Sequence, residues 1–160
     1  MNIPEPTPAH VWLHRLIGDW TMEGHCIMGP GQPEHRFRGS ETVRGIGALW
    51  VMGEGTGEMP GGGISTNIIT LGFDVARGRF VGSFISSAMP MMWVYDGALD
   101  AAGSVLTLDT EGPDFTDCTR RARYQDIVAL TADGGRSLSS RVQGADGAWH
   151  PVMHADYRRV

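Results

Sequence analysis

The chain has 160 residues, of which 23 are glycine, 9 are proline and 13 are arginine, with no lysine. Hydrophobic residues make up 41% of the chain, which is enough for one packed core and excludes a disordered protein. The formal net charge of -5 disfavours a dedicated nucleic-acid-binding protein, and no apolar run is long enough to cross a bilayer as a helix. We therefore expect one domain over residues 1–160 that binds neither nucleic acid nor membranes.

The first predicted element is a short helix over Ala9–Ile17. Trp12 and Leu16 share an apolar stripe at helical spacing, and Gly18 ends the pattern. A helix of about two turns is marginal in water, so we expect it to dock on the rest of the domain. His10 and His14 lie four residues apart on this helix, but no third metal ligand accompanies them, which favours a solvated or capping role over zinc.

After Gly18 the apolar residues recur at every second position, as Trp20, Met22 and Cys26 do, which predicts β-strands. Segments rich in glycine and proline separate ten such runs and supply the positive φ angles that tight turns need. A longer loop is predicted from Glu111 to Asp117. The predicted strands cover residues 20–28, 34–44, 48–58, 65–74, 79–87, 92–99, 104–110, 119–130, 137–143 and 149–159.

The even spacing of these strands, with no helical crossover between them, favours an antiparallel up-and-down meander. Closing ten strands into a barrel removes the two exposed edges of an open sheet, and strand glycines such as Gly24 and Gly53 would let the sheet bend that far. The predicted fold class is therefore all-β, a single antiparallel β-barrel of about ten strands with a short N-terminal helix.

The order of these elements resembles that of calycins, the group that contains lipocalins and fatty-acid-binding proteins. Gly18-Asp19-Trp20 matches the Gly-x-Trp that opens the first strand after a short helix, and the chain ends on a strand with two adjacent arginines. The resemblance implies that an arginine of the last strand, either Arg158 or Arg159, packs over Trp20 at the closed end of the barrel. A cation–π contact is the physical reason for such a pair.

Seven segments of the chain together match one family, and they are residues 14–20, 28–31, 48–51, 70–74, 79–82, 93–97 and 146–159. Through them the chain resembles, over nearly its whole length, the uncharacterised family numbered 1579 among domains of unknown function. Phe73 stands where that family usually has a tyrosine, a mild departure. The resemblance implies a calycin-like fold and no established activity.

A cluster of tryptophan and methionine residues is the best candidate for a ligand site. This cluster could line a cavity, because adaptable methionine side chains suit apolar ligands. Its members are Trp50, Met52, Met89, Met91, Met92 and Trp93, of which Trp50, Met52, Met92 and Trp93 are the predicted ligand-binding residues. Core filling or lid packing is the alternative for the same residues. The segment 89–92, Met-Pro-Met-Met, could instead form a homodimer contact.

Two histidines near the C-terminus suggest an alternative. The chain resembles nitrobindins in its size, in Gly18-x-Trp20 and in a histidine before the closing arginines. That resemblance implies haem held by His150 or His154, since an imidazole nitrogen suits iron. The two histidines stand about 13 Å apart along one strand face and cannot share one metal ion. The principal hypothesis needs no cofactor, and a surface or hydrogen-bonded role is the alternative for both residues.

Catalytic motifs are scarce, with no Gly-x-Ser-x-Gly sequence and no phosphate-binding loop. His25 and Glu23 share one strand face and could act as an acid–base pair in a small-molecule hydrolase or isomerase. That hypothesis requires both side chains to face a cavity. Whether the protein is an enzyme stays open at this point, with binding favoured.

The first residues of the chain have no basic segment followed by an apolar one, so we expect a cytoplasmic protein. Cys26 and Cys118 would then be reduced and would serve as small core residues. The principal hypothesis is non-covalent binding of a small hydrophobic molecule inside the barrel.

Overall fold

The computed structural model describes all 160 residues and contains one short helix followed by ten strands. The helix is seven residues long, and no helix of the protein has the length and apolarity needed to span a membrane. The elements are α1 (Pro8–His14), β1 (Gly18–Ile27), β2 (Glu34–Ile46), β3 (Trp50–Glu58), β4 (Ile64–Asp74), β5 (Arg79–Ser86), β6 (Trp93–Leu99), β7 (Val105–Asp114), β8 (Asp117–Leu130), β9 (Arg136–Gln143) and β10 (Trp149–Arg159).

The ten strands form a closed barrel in which each strand pairs antiparallel with its neighbours in sequence. Pairing of β1 with β10 completes the ring, with Met22 opposite Tyr157. Closure leaves no edge strand, so every strand pairs with a neighbour on each side. The predicted all-β, up-and-down barrel with an N-terminal helix is confirmed.

The helix covers one end of the barrel and is shorter than predicted. It begins after Thr7 with Pro8 in its first turn, where a missing N–H costs nothing, and it ends at His14. The backbone N–H groups of Leu16 and Ile17 bond to carbonyls three residues earlier, so the chain leaves the helix through tighter turns.

Two helix side chains anchor it to the barrel through hydrogen bonds to backbone. His10 is 3% exposed, and its Nδ1 accepts a bond from the Thr7 N–H at 3.0 Å. Its Nε2 donates to the Phe73 carbonyl at 3.1 Å, and Trp12 Nε1 donates to the Gly103 carbonyl at 2.7 Å. The capping role predicted for the helix histidines therefore holds for His10. His10 and His14 do not share a ligand, because His14 Nε2 donates separately to the Ala48 carbonyl.

Arg159, not Arg158, is the arginine that packs over Trp20. Trp20 and Arg159 are opposite each other in the β1–β10 ladder, and the Arg159 guanidinium carbon lies 4.2 Å from the Trp20 ring centroid. Arg158 is exposed, because alternation along β10 turns it to the outer face. The geometry decides between the two candidates that the sequence left open.

The hairpin of β7 and β8 differs from the prediction. The loop expected from Glu111 to Asp117 is a tight turn, and β7 continues to Asp114. The Asp114 carboxylate accepts bonds from both the backbone and the hydroxyl of Thr116, which stabilises this turn. The Trp93 ring occupies the space where a Cβ at position 112 would lie, which accounts for a glycine within this strand.

Glycines inside the strands make room for neighbouring side chains. A Cβ added at Gly53 would lie 3.2 Å from Oε2 of Glu41, and one added at Gly55 would lie 3.3 Å from the Glu41 Cβ. Both glycines face the barrel interior, so their bare backbone lets the Glu41 side chain extend across it. Part of the glycine excess therefore shapes the interior and is not confined to turns.

Candidate ligand-binding cavity

The barrel encloses a cavity of about 390 Å³. It extends from Leu16 and Val43, at the end covered by α1, to Met59, Met89 and Phe115 at the opposite rim. Of the 34 residues that line it, 22 are hydrophobic. Side chains therefore do not fill the barrel, and the space they leave is of the size and character of small-molecule sites.

The apolar walls come from residues that alternate inward along nearly every strand. Methionine and valine are the most frequent residues of this surface, followed by phenylalanine, leucine and tyrosine, and it contains no histidine. The inward apolar residues include Met22, Phe37, Val51, Ile69, Leu71, Phe84, Trp93, Val128, Leu138 and Met153.

A buried ion pair crosses the interior between Arg136 of β9 and Glu41 of β2. The two side chains are 6% and 12% exposed, and an Arg136 guanidinium nitrogen donates to the Glu41 carboxylate. The guanidinium carbon also lies 4.0 Å from the Tyr157 ring centroid and 4.7 Å from that of Trp20. This pair neutralises both charges inside the barrel and fixes the arginine between the deepest aromatic residues.

Asp126 on β8 is a second charged residue in the lining. Its Oδ2 accepts a hydrogen bond from the Tyr95 hydroxyl and its Oδ1 accepts one from the Ser140 hydroxyl, each at 2.5 Å. Burial raises the pKa of the Asp126 carboxyl, and burial followed by the charge of Asp126 raises the pKa of Tyr95. The two hydroxyls offset part of the cost of placing a carboxyl in an apolar interior.

Two buried polar atoms of the lining have no hydrogen-bond partner. They are Thr110 Oγ1 and Arg136 Nε, on residues that are 8% and 6% exposed. Natural proteins leave few such atoms unpaired, because a buried donor or acceptor without a partner costs stability. The interior thus combines apolar walls with a small set of polar groups, among them the charged residues Glu41, Asp126 and Arg136.

Of the four residues predicted to bind a ligand, only Trp93 lines the cavity. Trp93 is 7% exposed and packs edge-on against Tyr124 with ring centroids 4.9 Å apart. Trp50, Met52 and Met92 lie outside the cavity, which corrects that part of the prediction. Alternation turns Val51 inward, so its neighbours Trp50 and Met52 take the outer face.

The outer positions of these three residues have local explanations. The Trp50 ring covers Gly72 of the adjacent strand, which accounts for the glycine there. Met52 lies beside Arg44 on the outer wall, with an Arg44 nitrogen 3.9 Å from its sulfur. Met92 precedes β6 and is 58% exposed.

Neither histidine proposed for haem reaches the cavity. His154 is on the outer wall, where the Ser139 hydroxyl contacts its Nδ1 at 2.8 Å and its Nε2 donates to Asp156 at 3.2 Å. His150 lies at the rim, and its Nε2 donates to Asp146 at 3.3 Å. The residues present do not fit haem inside the barrel, because no imidazole lines it.

The acid–base pair proposed for an enzyme is also on the outer wall. Glu23 forms an exposed ion pair with Arg38 at 3.4 Å, and the His25 ring lies beside that of His154 with centroids 6.0 Å apart. The strand alternation that turns Met22 inward turns Glu23 and His25 outward. This position overturns the hypothesis that they act on a substrate held in the barrel.

Both cysteines are free thiols, but only one is near the core. Cys26 is half-buried at the cavity, where burial raises the pKa of its thiol. Cys118 is exposed at the start of β8, which corrects its prediction as a core residue.

Glu41, Asp126 and Arg136 are the polar residues that sequence reasoning missed. A signal for them exists in the alternation, since Glu41 stands at the same phase as Phe37 and Val43, and Asp126 at the phase of Tyr124 and Val128. A charged residue in phase with inward apolar residues indicates a buried charge, which proteins keep only when it is paired or functional.

Comparisons with known proteins give a matching family and a solved structure of similar fold. Residues 5–159 match a family model described as "Protein of unknown function (DUF1579)". The crystal structure of Rv2717c from M. tuberculosis has a similar fold, with a TM-score of 0.70 at 14% sequence identity over 98% of this chain and 99% of that chain. No curated protein matches the sequence. At such low identity the structural likeness shows a shared fold alone.

Proposed function

This chain belongs to the DUF1579 family, and from that premise we propose that it binds a small hydrophobic molecule non-covalently inside its barrel. The observation that carries the proposal is the cavity of about 390 Å³ with its mainly hydrophobic lining. Protein interiors are close-packed and contain few voids larger than a water molecule. An apolar space of this size is therefore unusual for an interior without a bound molecule, and a ligand that fills it would restore close packing.

The energetics favour an apolar occupant. Moving apolar surface out of water is worth roughly 25 cal/mol per Å², so a ligand that covers the cavity walls gains several kcal/mol before the costs of association. Four methionines line the space and can adapt to different ligand shapes. They are Met22, Met59, Met89 and Met153.

Gly57 offers a way to fill the cavity without disturbing the barrel. It faces the interior, and a Cβ added there meets only the Ser65 hydroxyl oxygen, at an ordinary contact distance of 3.7 Å. Thr56 is adjacent on β3 but lies exposed on the outer face. Gly57→Leu and Thr56→Leu therefore add similar apolar side chains on opposite sides of one wall.

The test uses native mass spectrometry of freshly purified protein together with titration of the neutral apolar dye Nile red. We expect a co-purified small molecule, or dye fluorescence that saturates at one dye per chain. Gly57→Leu should weaken dye binding about tenfold or more, whereas Thr56→Leu should bind like the wild type. Dye that fails to bind the wild type, or equal binding by both variants, would overturn the proposal.

Three further expectations concern the oligomeric state, the partners and the cellular location of the protein, and they remain predictions. They are a homodimer through the segment around Met89–Met92, the absence of nucleic-acid and membrane partners, and a cytoplasmic location. Met89 lines the cavity at the rim, so a dimer contact there would also narrow the entrance.

A further inference from the structure

We propose that the ligand carries a protonated amine that pairs with Asp126, so that the protein binds cationic amphiphiles in preference to anionic ones. This inference rests on the proposed function, because it names the chemical class of the molecule inside the barrel.

Four residues with charged side chains line the cavity, and three of them are accounted for. Glu41 and Arg136 neutralise each other in the buried ion pair. Glu58 is exposed at the end of β3, where its carboxylate accepts a hydrogen bond from the Arg38 backbone N–H. Asp126 is the charge that remains, since no arginine or histidine forms an ion pair with it.

The hydrogen bonds of Asp126 leave capacity for a ligand. A carboxylate has about four acceptor sites, and the hydroxyls of Tyr95 and Ser140 take one on each oxygen. The residue lines the cavity and keeps part of its surface open to it. An ammonium group supplies three N–H donors and the missing positive charge, so it satisfies both the geometry and the electrostatics.

The same distribution of charge disfavours a carboxylate ligand. The cation of the lining, Arg136, already donates to Glu41 and stacks on Tyr157. Its Nε has no hydrogen-bond partner, but it belongs to a guanidinium whose charge Glu41 already neutralises. A ligand carboxylate would therefore meet a neutral ion pair and a second carboxyl group at Asp126. Bringing two carboxylates into one apolar site raises the energy of the charged forms, so one of them would have to take up a proton.

The affinity for an amine should depend on pH, because the ammonium ion competes with a proton for Asp126. An ammonium ion that binds where Asp126 is protonated displaces that proton to solvent, and one that binds the ionised form releases none. Amine affinity should therefore fall as the pH is lowered through the protonation of Asp126. The other ionisable groups that line the cavity are Cys26, Glu41, Glu58, Tyr95, Tyr124, Arg136 and Tyr157.

The experiment compares octylamine, octanol and octanoate as competitors of Nile red at about pH 7, where the first is a cation and the last an anion. We expect octylamine to compete about tenfold more strongly than octanol, with octanoate weakest. Asp126→Asn should remove the advantage of octylamine over octanol. Asp109→Asn makes the same change of charge on the outer face of β7 and should leave all three affinities as in the wild type.

The outcomes separate the two proposals. If octanol and Nile red bind but octanoate matches octylamine, or if Asp126→Asn keeps the octylamine advantage, the amine inference is wrong and the hydrophobic-binding function stands. If no competitor and no dye binds the wild type, both are wrong. Should Asp126→Asn fail to fold, the wild type decides: octylamine must compete more strongly than octanol and octanoate at about pH 7, and equal or weaker competition by octylamine would contradict the proposal.

Discussion

Arg159 joins the last strand to the turn that precedes the first. Its guanidinium carbon lies 4.2 Å from the Trp20 ring centroid, and its two terminal nitrogens donate to the carbonyls of Ile17 and Arg15 at 2.8 and 2.7 Å. Both carbonyls belong to residues that follow the last residue of α1, so the helix provides no backbone N–H for them and the arginine satisfies them. One side chain therefore ties together the helix end, the first strand and the last strand.

Arg159→Ala should lower the free energy of unfolding by about 2 kcal/mol, because it removes a cation–π contact and two charge-assisted hydrogen bonds. Urea denaturation followed by tryptophan fluorescence measures this loss. Arg158→Ala provides the matched control, since Arg158 lies on the outer face without the ring contact and hydrogen bonds that Arg159 makes, and should change stability by less than about 0.5 kcal/mol. Equal effects of the two substitutions would show that the contact over Trp20 does not stabilise the closed end.

Breaking the buried ion pair of Glu41 and Arg136 should lower the free energy of unfolding by more than Arg159→Ala does. Glu41→Gln leaves the Arg136 charge unpaired in the interior and should cost about 3–5 kcal/mol. The exposed pair of Glu23 and Arg38 is the control, and Glu23→Gln should cost less than about 1 kcal/mol. Denaturant titration of both variants gives the comparison.

Replacing both partners of the buried pair tests the reason for that loss. In the double variant Glu41→Met with Arg136→Met no charge is left without a partner, so most of the lost stability should return. A double variant that is less stable than Glu41→Gln would mean that packing around the guanidinium matters more than charge compensation.

The barrel itself could be predicted because its signals are local. Apolar residues at every second position mark the strands, and glycine-rich segments mark the turns between them, so ten strands and their order follow from the sequence. The phase of a strand was harder to assign where apolar residues are consecutive. Trp50, Val51 and Met52 fit either face, and the ladder that places Val51 opposite Leu71 decides which one points inward.

The polar part of the cavity could not be predicted because its contacts are distant in sequence. Glu41 and Arg136 lie on strands separated in the ring by β1 and β10, and only closure of the barrel brings them together. Asp126 is likewise joined to Tyr95 of β6, a strand that it does not adjoin. An alternation pattern indicates that such residues point inward, but it carries no information about which partner each will meet.

His10 should be the histidine whose loss destabilises the protein most. His10→Ala removes the bonds to Thr7 and to the Phe73 carbonyl from a buried side chain, and should cost about 2–3 kcal/mol. Val11→Ala, at a half-exposed position of the same helix, should cost little because alanine is the better helix former. Thermal unfolding followed by circular dichroism measures both, and similar losses in the two variants would count against docking through His10.

Asp126 should make the stability of the empty barrel depend on pH in a direction opposite to that of most carboxyl groups. Burial raises the pKa of the Asp126 carboxyl above its unfolded value of about 3.9, so between these two pKa values the folded protein binds more protons than the unfolded chain. The free energy of unfolding therefore falls as the pH rises through this window, by about 1.4 kcal/mol per unit of pKa difference.

Asp126→Asn removes this penalty, so it should be more stable than the wild type at neutral pH by an amount that disappears below about pH 4. Asp96→Asn should instead be less stable than the wild type at neutral pH. The hydrogen bond from Arg79 lowers the pKa of Asp96, so its ionised form stabilises the fold. Urea denaturation of the ligand-free wild type and both variants across this pH range measures the two differences. If the difference between Asp126→Asn and the wild type stays constant with pH, the carboxyl does not titrate within the barrel as its burial requires.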